Sequence, residues 1–384
     1  MKSWRKLKIG DVLGRVKDDV QVDDFLTYSR VTIRMAGKGV ALRDRVVGSE
    51  IGTKRQFIAR AGQFVLSKID ARNGAFGVLP EECDNAIVTG NFWVFNVDHA
   101  RLDGRFFNYL SKSPEFVVAC VAASDGTTNR RYLQEDAFLR MSVPVPDLTE
   151  QQTIVARLDA LAAKTREVEA HLDAVERDAE HLLALRLRDV IANAPLRPLA
   201  EVAPAIRRTV DIDISQSYRE VGARSFGKGL FVKPDFDGAE ATWQKPVWIK
   251  SGDLVFSNIK AWEGAIAVAC EVHDGCIASH RYITCVPDST LMTAGFLAYY
   301  LLSEDGLEKV GLASPGTADR NRTLSLGNLA KIEVPLPPLV AQQAFNQLQA
   351  QVAALKAKHT AIRHANAALI PATLERIFQT EATA

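Results

Sequence analysis

No apolar run in the chain approaches 18 residues, so no stretch has the length and composition of a membrane-spanning helix. The opening residues Met1 to Leu7 lack the apolar core of a secretory signal. Both features lead us to expect a cytoplasmic protein. Cysteine is scarce: Cys83, Cys120, Cys270, Cys276 and Cys285 are odd in number and form no C-x-x-C pair. That pattern argues against a disulfide framework or a paired-thiolate zinc site, and fits reduced, mostly buried thiols. Net charge is only +1, so any basic face must be built by folding rather than by bulk charge. H-E-x-x-H, G-x-S-x-G and a glycine-rich fingerprint for a methyl donor or dinucleotide are also missing. We therefore assign no catalytic residue and no metal ligand, and expect no cofactor on this chain.

What the chain does have is a repeat. Gly62 to Val78 returns as Gly252 to Val268, 190 residues later, with eight identities in seventeen positions. Such repeats are weighed first, because missing one misassigns the fold. The register extends outward: Tyr28 falls on Tyr218, Arg34 on Arg224, Gly37-Lys38-Gly39 on Gly227-Lys228-Gly229, and Gly126-Thr127 on Gly316-Thr317. After one inserted residue, Val143-Pro144-Val145-Pro146 falls on Val334-Pro335-Leu336-Pro337, and Gln151-Gln152 on Gln342-Gln343. Glycine and apolar positions agree between the copies, while polar positions differ.

Each copy reads as a mixed, strand-rich domain. Runs such as Gln63–Ile69 and Ile87–Val97 are apolar or aromatic and bounded by Gly, Asn and Asp, as strands are. Short helices are expected near 104–112 and 114–123. The alternating prolines before Asp147 force extended backbone. Thr149 or Asp147 then caps a long helix, with Gln152 placed as in a capping box. Ile154, Leu158, Leu161, Thr165, Val168, Leu172, Val175, Ala179 and Leu182 recur every three or four residues, a heptad seam interrupted only by Thr165. A second helix starts near Val340 with the seam Phe345, Leu348, Val352, Leu355, His359, Ile362, Asn366 and Leu369, and Pro371 is expected to interrupt it. His359 and Asn366 read as polar residues that set register.

Neither helix can bury its stripe alone. Residues 148–195 carry a net −3 and residues 339–384 a net +2, so the two helices should pair with each other. If the repeats share a pseudo-twofold axis, the pair is antiparallel, with the globular domains at the ends of a rod. The expected fold class is α+β: mixed α/β domains at 1–148 and 195–338, separated by long coiled-coil helices at 149–194 and 339–384.

Gly222 to Lys228 has the spacing of a phosphate-binding loop, but Gly229 stands where the magnesium-binding hydroxyl belongs, and the other copy has Thr32 for the first glycine. A Gly-Lys-Gly turn present in both copies fits contact with a phosphate backbone better than a nucleotide site. Arg, Lys, Asn and hydroxyl side chains are the ones that grip phosphates and read base edges. The candidate DNA contacts are therefore the side chains at loop positions of the repeated frame, most of them different between the copies and a few, such as Arg34 with Arg224 and Lys38 with Lys228, the same. In the first copy they are Arg34, Lys38, Lys68, Arg72, Asn73, Asn91, Thr127, Arg130 and Arg131. In the second they are Arg224, Lys228, Asn258, Lys260, Trp262, Arg281, Thr317, Arg320 and Arg322.

Two divergent domains, each closed by a proline-glutamine junction and a long helix, resemble the specificity subunit of type I restriction-modification systems. The residues that carry the likeness are Val143–Gln152, Val334–Gln343, Ser67–Ile69 with Ser257–Ile259, and Gly126-Thr127 with Gly316-Thr317. The resemblance implies target-recognition domains that each read half of a bipartite site in double-stranded DNA. It implies helices that set the spacer, two methyltransferase subunits and restriction subunits as partners, and methyl donor, ATP and Mg on those partners only. The alternatives are a non-catalytic coiled-coil scaffold and a specificity-like subunit of another defence system.

Overall fold

The computed structural model describes residues 4–127, 130–241, 245–316 and 322–379; for Thr127, Arg130 and Gln379 it describes the backbone alone. The chain forms two compact units, residues 1–172 with 360–384, and residues 173–359. Two long helices, the central one (Leu148–Ile191) and the C-terminal one (Leu339–Gln379), each contribute to both units. Among the described residues no helix is long and apolar enough to cross a membrane.

In the first unit, a four-stranded antiparallel sheet orders Leu13–Val16, Phe92–Val97, Phe64–Ser67 and Phe76–Val78. A five-stranded sheet orders Asp19–Gln21, Arg55–Ala59, Ala86–Val88, Thr27–Arg34 and Gly39–Val47, with Ala86–Val88 parallel to Thr27–Arg34. The run expected as one strand over 87–97 thus splits between sheets. The chain turns at Thr89, where Phe92 N–H donates to the Thr89 carbonyl at 2.9 Å, and Gly90 lies in that turn. Helices Gly104–Leu110 and Pro114–Ala122 cover the four-stranded sheet, and Phe64, Phe76, Phe95, Phe106, Phe107 and Phe116 fill the core between them. Edge-to-face contacts such as Phe64–Phe107, at 4.8 Å between centroids, add to the burial.

The second unit repeats the central part. Ile266–Val268, Leu254–Ser257 and Tyr282–Cys285 form an antiparallel sheet in the register of its counterpart, Leu254 facing Val268 as Phe64 faces Val78. The counterpart of the five-stranded sheet is reduced to short pairs, Val221–Ala223 with Leu230–Val232 and Val247–Trp248 with Ile277–Ala278. The core is more aliphatic, with Leu254, Phe256, Leu297, Tyr300 and Leu301 fully buried.

One buried amide joins domain to helix in each unit. Gln151 is fully buried; its Oε1 accepts from Asp103 N–H at 2.7 Å, and its Nε2 donates to the carbonyls of Arg101 at 3.1 Å and Pro146 at 2.9 Å. Gln342 makes the equivalent bonds to Thr293 N–H at 2.8 Å and to the carbonyls of Leu291 and Pro337 at 2.9 Å each. The helix cap is Asp147, whose carboxylate accepts from Glu150 N–H at 2.9 Å, and Thr149 lies inside the helix.

The helix segments pair antiparallel within each unit. In the first unit Asn366 Nδ2 donates to the Thr165 carbonyl at 3.0 Å and to Glu169 at 2.7 Å, and Arg363 meets Glu169 at 3.2 Å. In the second, His359 meets Glu176 at 2.9 Å and Lys356 meets Glu180 at 2.6 Å. The heptad reading needs correction at four positions. Val168, Leu182, Ile362 and Leu369 are exposed, and Glu169, Leu183, Arg363 and Ile370 take the inward places one residue later. A strict heptad drifts about 20° per repeat on a straight helix of 3.6 residues per turn, so the neighbouring residue takes over the seam. The other seam residues, Ile154, Leu158, Leu161, Leu172, Val175, Phe345, Leu348, Val352 and Leu355, are buried or half-buried.

Nor does Pro371 end the C-terminal helix, which runs unbroken to Gln379. The proline is exposed, and the turns beyond it are held because Leu374 and Phe378 enter the first unit's core, where Trp4 stacks edge-on against Phe378 at 6.1 Å. Cys83, Cys120, Cys276 and Cys285 are buried and Cys270 is exposed. Burial pushes the Cys120 and Cys285 thiols up to about 12.

Gln151→Leu and Gln342→Leu each strip partners from a part-buried N–H, a part-buried carbonyl and a buried proline carbonyl. Each substitution is expected to cost its own unit about 2–4 kcal/mol. Denaturant unfolding followed by hydrogen exchange, resolved by segment, tests this; equal loss of protection in both units would contradict it.

Candidate nucleic-acid interface

The repeated block is a hairpin with a structured tip. After Phe64–Ser67 the chain makes a single 3-10 turn at Ala71–Asn73, ends it on Gly74 at φ 73°, and returns as Phe76–Val78. The second copy does the same with Ala261–Glu263 and Gly264 at φ 79°. Positive φ favours glycine at this position. The Gly-Lys-Gly turn docks on that tip through the same pair of backbone bonds in both units. Ala36 N–H donates to Asn73 O at 2.7 Å and Gly37 N–H to Gly74 O at 3.0 Å; Phe226 to Glu263 at 2.7 Å and Gly227 to Gly264 at 2.9 Å repeat the pattern. These four bonds use no side chain, so residues on the tip can change without undoing them; the second unit adds one side-chain bond, from the Ser225 hydroxyl to the Glu263 carboxylate at 2.9 Å. Lys38 and Lys228 are both exposed beside it.

Two further segments join the tip, again through backbone. In the first unit Lys68 N–H donates to Asn91 O at 2.9 Å, and Leu133 N–H donates to Lys68 O at 2.8 Å. In the second, Asn258 N–H donates to Arg281 O at 2.8 Å, and Leu324 N–H to Asn258 O at 2.7 Å. The structure therefore brings Lys38, Lys68, Arg72, Asn73 and Asn91 onto one cluster of loops, and Lys228, Asn258, Lys260, Trp262 and Arg281 onto its counterpart. Arg34 and Arg224 lie at the strand ends leading into the Gly-Lys-Gly turns, both exposed.

The two clusters differ in chemistry. In the second unit Trp262 is flanked by two cations, Lys260 Nζ at 5.4 Å and Arg322 at 4.9 Å from its ring. Lys260 also pairs with Glu263 at 2.6 Å, and that bond holds the Glu263 carboxyl below the usual range. Arg224 stacks over Phe231 at 4.5 Å. In the first unit Lys68 lies over Tyr132 at 5.9 Å, and Asn73 donates to Asp70 at 3.3 Å. Tyr132, Phe226 and Phe231 are absent from the sequence-based set, because spacing does not show which aromatic a cation will meet.

Arg131 and Arg322 have a structural task that the sequence did not reveal. Arg131 Nη2 donates to the Ser124 carbonyl at 3.1 Å; Arg322 donates to Gly311 at 2.9 Å and Ser314 at 3.4 Å. These carbonyls lie at or just beyond the ends of helices Pro114–Ala122 and Glu304–Leu312, where cations are favourable. The backbones of Thr127 and Arg130 pair at the end of a hairpin. Thr317 and Arg320 lie outside the described residues. Gly222 to Lys228 forms a strand and a turn rather than a loop leading into a helix, so its phosphate-loop spacing is coincidental. Among the described residues no three His, Cys, Asp or Glu side chains converge as a metal site.

A polar cleft of about 470 Å³ opens beside the first unit's tip. Its lining includes Arg30, Thr32, Arg43, Gln56, Asp70 and Thr89 over an apolar base of Val31, Ile87 and Val88. Arg30 is clamped by Asp44 through two bonds of 2.7 Å, and the same bond depresses the Asp44 carboxyl. Sequence reasoning passed over Arg30, Arg43 and Gln56 because they lie within strands rather than on loops.

Residues 1–177 match a family model described as the type I restriction modification DNA specificity domain. Over this segment the chain is similar to the type I DNA specificity domain. Two solved structures share the fold over nearly the whole chain. The HsdS subunit from Thermoanaerobacter tengcongensis aligns at 19% identity with TM-score 0.62, covering 99% of this chain and 98% of that one. A chain from a study of complex assembly and conformational transition of the type I R-M system aligns at 21% identity with TM-score 0.72, covering 99% of each. No curated protein sequence matches the chain. The fold is the expected α+β architecture with two long helices.

Gly74→Ala and Gly264→Ala force a side chain into positive φ, and at Gly74 a Cβ would come within 2.9 Å of Gly37 N. Each is expected to destabilise its tip by about 1–3 kcal/mol. Hydrogen exchange should show loss of protection at Ala36 and Gly37 for the first variant, and at Phe226 and Gly227 for the second. Unchanged exchange there would show that the turn does not depend on this joint.

Proposed function

We propose that the chain is the sequence-reading subunit of a type I restriction-modification complex acting on double-stranded DNA in the cytoplasm. The domains at 1–148 and 195–338 each read one half of a bipartite target, and the lengths of the segments 149–194 and 339–384 fix the unread spacer. Two methyltransferase subunits dock on the chain and modify adenine; restriction subunits join them. Methyl donor, ATP and Mg belong to those partners, and the chain itself carries out no bond-making step. Phosphate contacts give salt-dependent affinity, and a few base contacts worth about 1–3 kcal/mol each give the sequence preference.

The observation that carries this reading is the pair of loop clusters, held by the same backbone bonds and bearing different polar side chains. A reader of two unlike half-sites needs one frame with two chemistries. A scaffold would have no use for that difference.

Methylome sequencing of cells expressing the chain with its neighbouring methyltransferase, against cells without the chain, tests the proposal. A bipartite methyladenine motif that depends on the chain is expected. Exchanging residues 1–148 for the same domain of a relative should change one half of the motif, and lengthening both helices by whole turns should change the spacer alone. An active methyltransferase with no chain-dependent motif would favour the coiled-coil scaffold.

A further inference from the structure

The cleft in the first unit has the same frame as the corresponding region of the second unit but a different lining. Val31, Ser67 and Ile87 recur as Val221, Ser257 and Ile277. Arg30 and Arg43, however, give way to Glu220 and Lys233, which pair with each other at 2.8 Å. Thr32 gives way to Gly222, whose missing Cβ leaves room for the Phe231 ring; a Cβ there would meet that ring at 2.4 Å. The second unit thus fills with an aromatic ring the position that Thr32 lines in the first.

Arg30 is prepared for recognition. Asp44 takes the Nε–H and one N–H of Nη2 at 2.7 Å each, which orients the guanidinium. Of the five N–H groups of an arginine side chain, three remain, including those along the Nη1–Nη2 edge. A guanidinium edge held in place by a carboxylate matches two adjacent acceptors, the O6 and N7 of guanine in the major groove. Thr32, Arg43 and Thr89 supply further donors and acceptors around it.

We propose that this cleft is the base-reading element of the first unit, with Arg30 reading a guanine in that half-site and Asp44 positioning it. The inference rests on the DNA-recognition reading above. It differs from the loop-tip assignment in placing sequence discrimination in the strand residues and leaving the tip lysines to the phosphates.

The experiment is methylome sequencing of cells expressing the full chain with its methyltransferase, comparing wild type, Arg30→Met, and the pair-neutral Arg30→Met/Asp44→Asn. Roughly 5- to 150-fold loss of discrimination is expected at a single G·C pair of one half-site, with the other half and the spacer intact. A wild type that directs a bipartite motif, with variants that direct the same motif at unchanged stringency, overturns the cleft proposal and leaves the DNA-recognition reading standing. A wild type that directs no motif removes both. Loss of methylation at every site by a double variant that melts at the wild-type temperature also overturns it, because Arg30 would then set affinity rather than sequence. If either variant unfolds early, Arg43→Met, at a side chain 59% exposed, gives the answer. It should relax the same half-site, and an unchanged motif overturns the proposal.

Discussion

A glutamine amide, fully buried and bonded on both ends, is the joint on which each unit depends. Gln151 and Gln342 lie in the first turns of the long helices, and each reaches back to a proline carbonyl just before the helix and across to a loop of its domain. The amide presents both an acceptor and donors, so it satisfies an N–H and two carbonyls that would otherwise lack these partners. No apolar side chain does this, and a carboxylate would supply only the acceptor. The direction in which each helix leaves its domain follows from these bonds, together with the extended proline run that precedes them.

The paired loop clusters depend on a separation of tasks between backbone and side chain. Tip, Gly-Lys-Gly turn and flanking loops are tied by main-chain hydrogen bonds; glycine stands at most of the positive-φ positions, and Ala36 and Phe226 hold two more at φ 57° and 62°. Side chains on that frame are released from structural duty. Trp262 between two cations in one unit and Lys68 over Tyr132 in the other occupy equivalent loops without altering the hairpin beneath. Exceptions include Arg131 and Arg322, which spend part of their hydrogen-bonding capacity on carbonyls at helix ends, and Ser225, whose hydroxyl donates to Glu263.

The helix pair shows where pattern reading falls short. Heptad counting finds the faces of both helices but misplaces Val168, Leu182, Ile362 and Leu369 by one residue each. Counting assumes a repeat of 3.5, whereas the burial follows the helix's own 3.6. In the first unit, Glu169 and Arg363 enter the seam near this slip as an ion pair, with Asn366 bonded to the same glutamate. Polar groups at such a place disfavour sliding, since any other register would leave them without partners.

By itself the sequence determined that the protein is one unit written twice, that prolines and glutamines close each copy, and that two long amphipathic helices follow. These are local or periodic properties: glycine where φ must be positive, proline where helix is forbidden, apolar residues at helical spacing. Only the tertiary structure decided which residues meet. It divided the run from Ile87 to Val97 between two sheets, gave Arg131 and Arg322 to helix ends, and gathered Arg30, Thr32 and Arg43 into a cleft. Those outcomes depend on contacts between residues far apart in the chain, and a side chain's environment is set by what the fold packs against it. The polar differences between the copies could be seen in the sequence; which of them face a shared space could not.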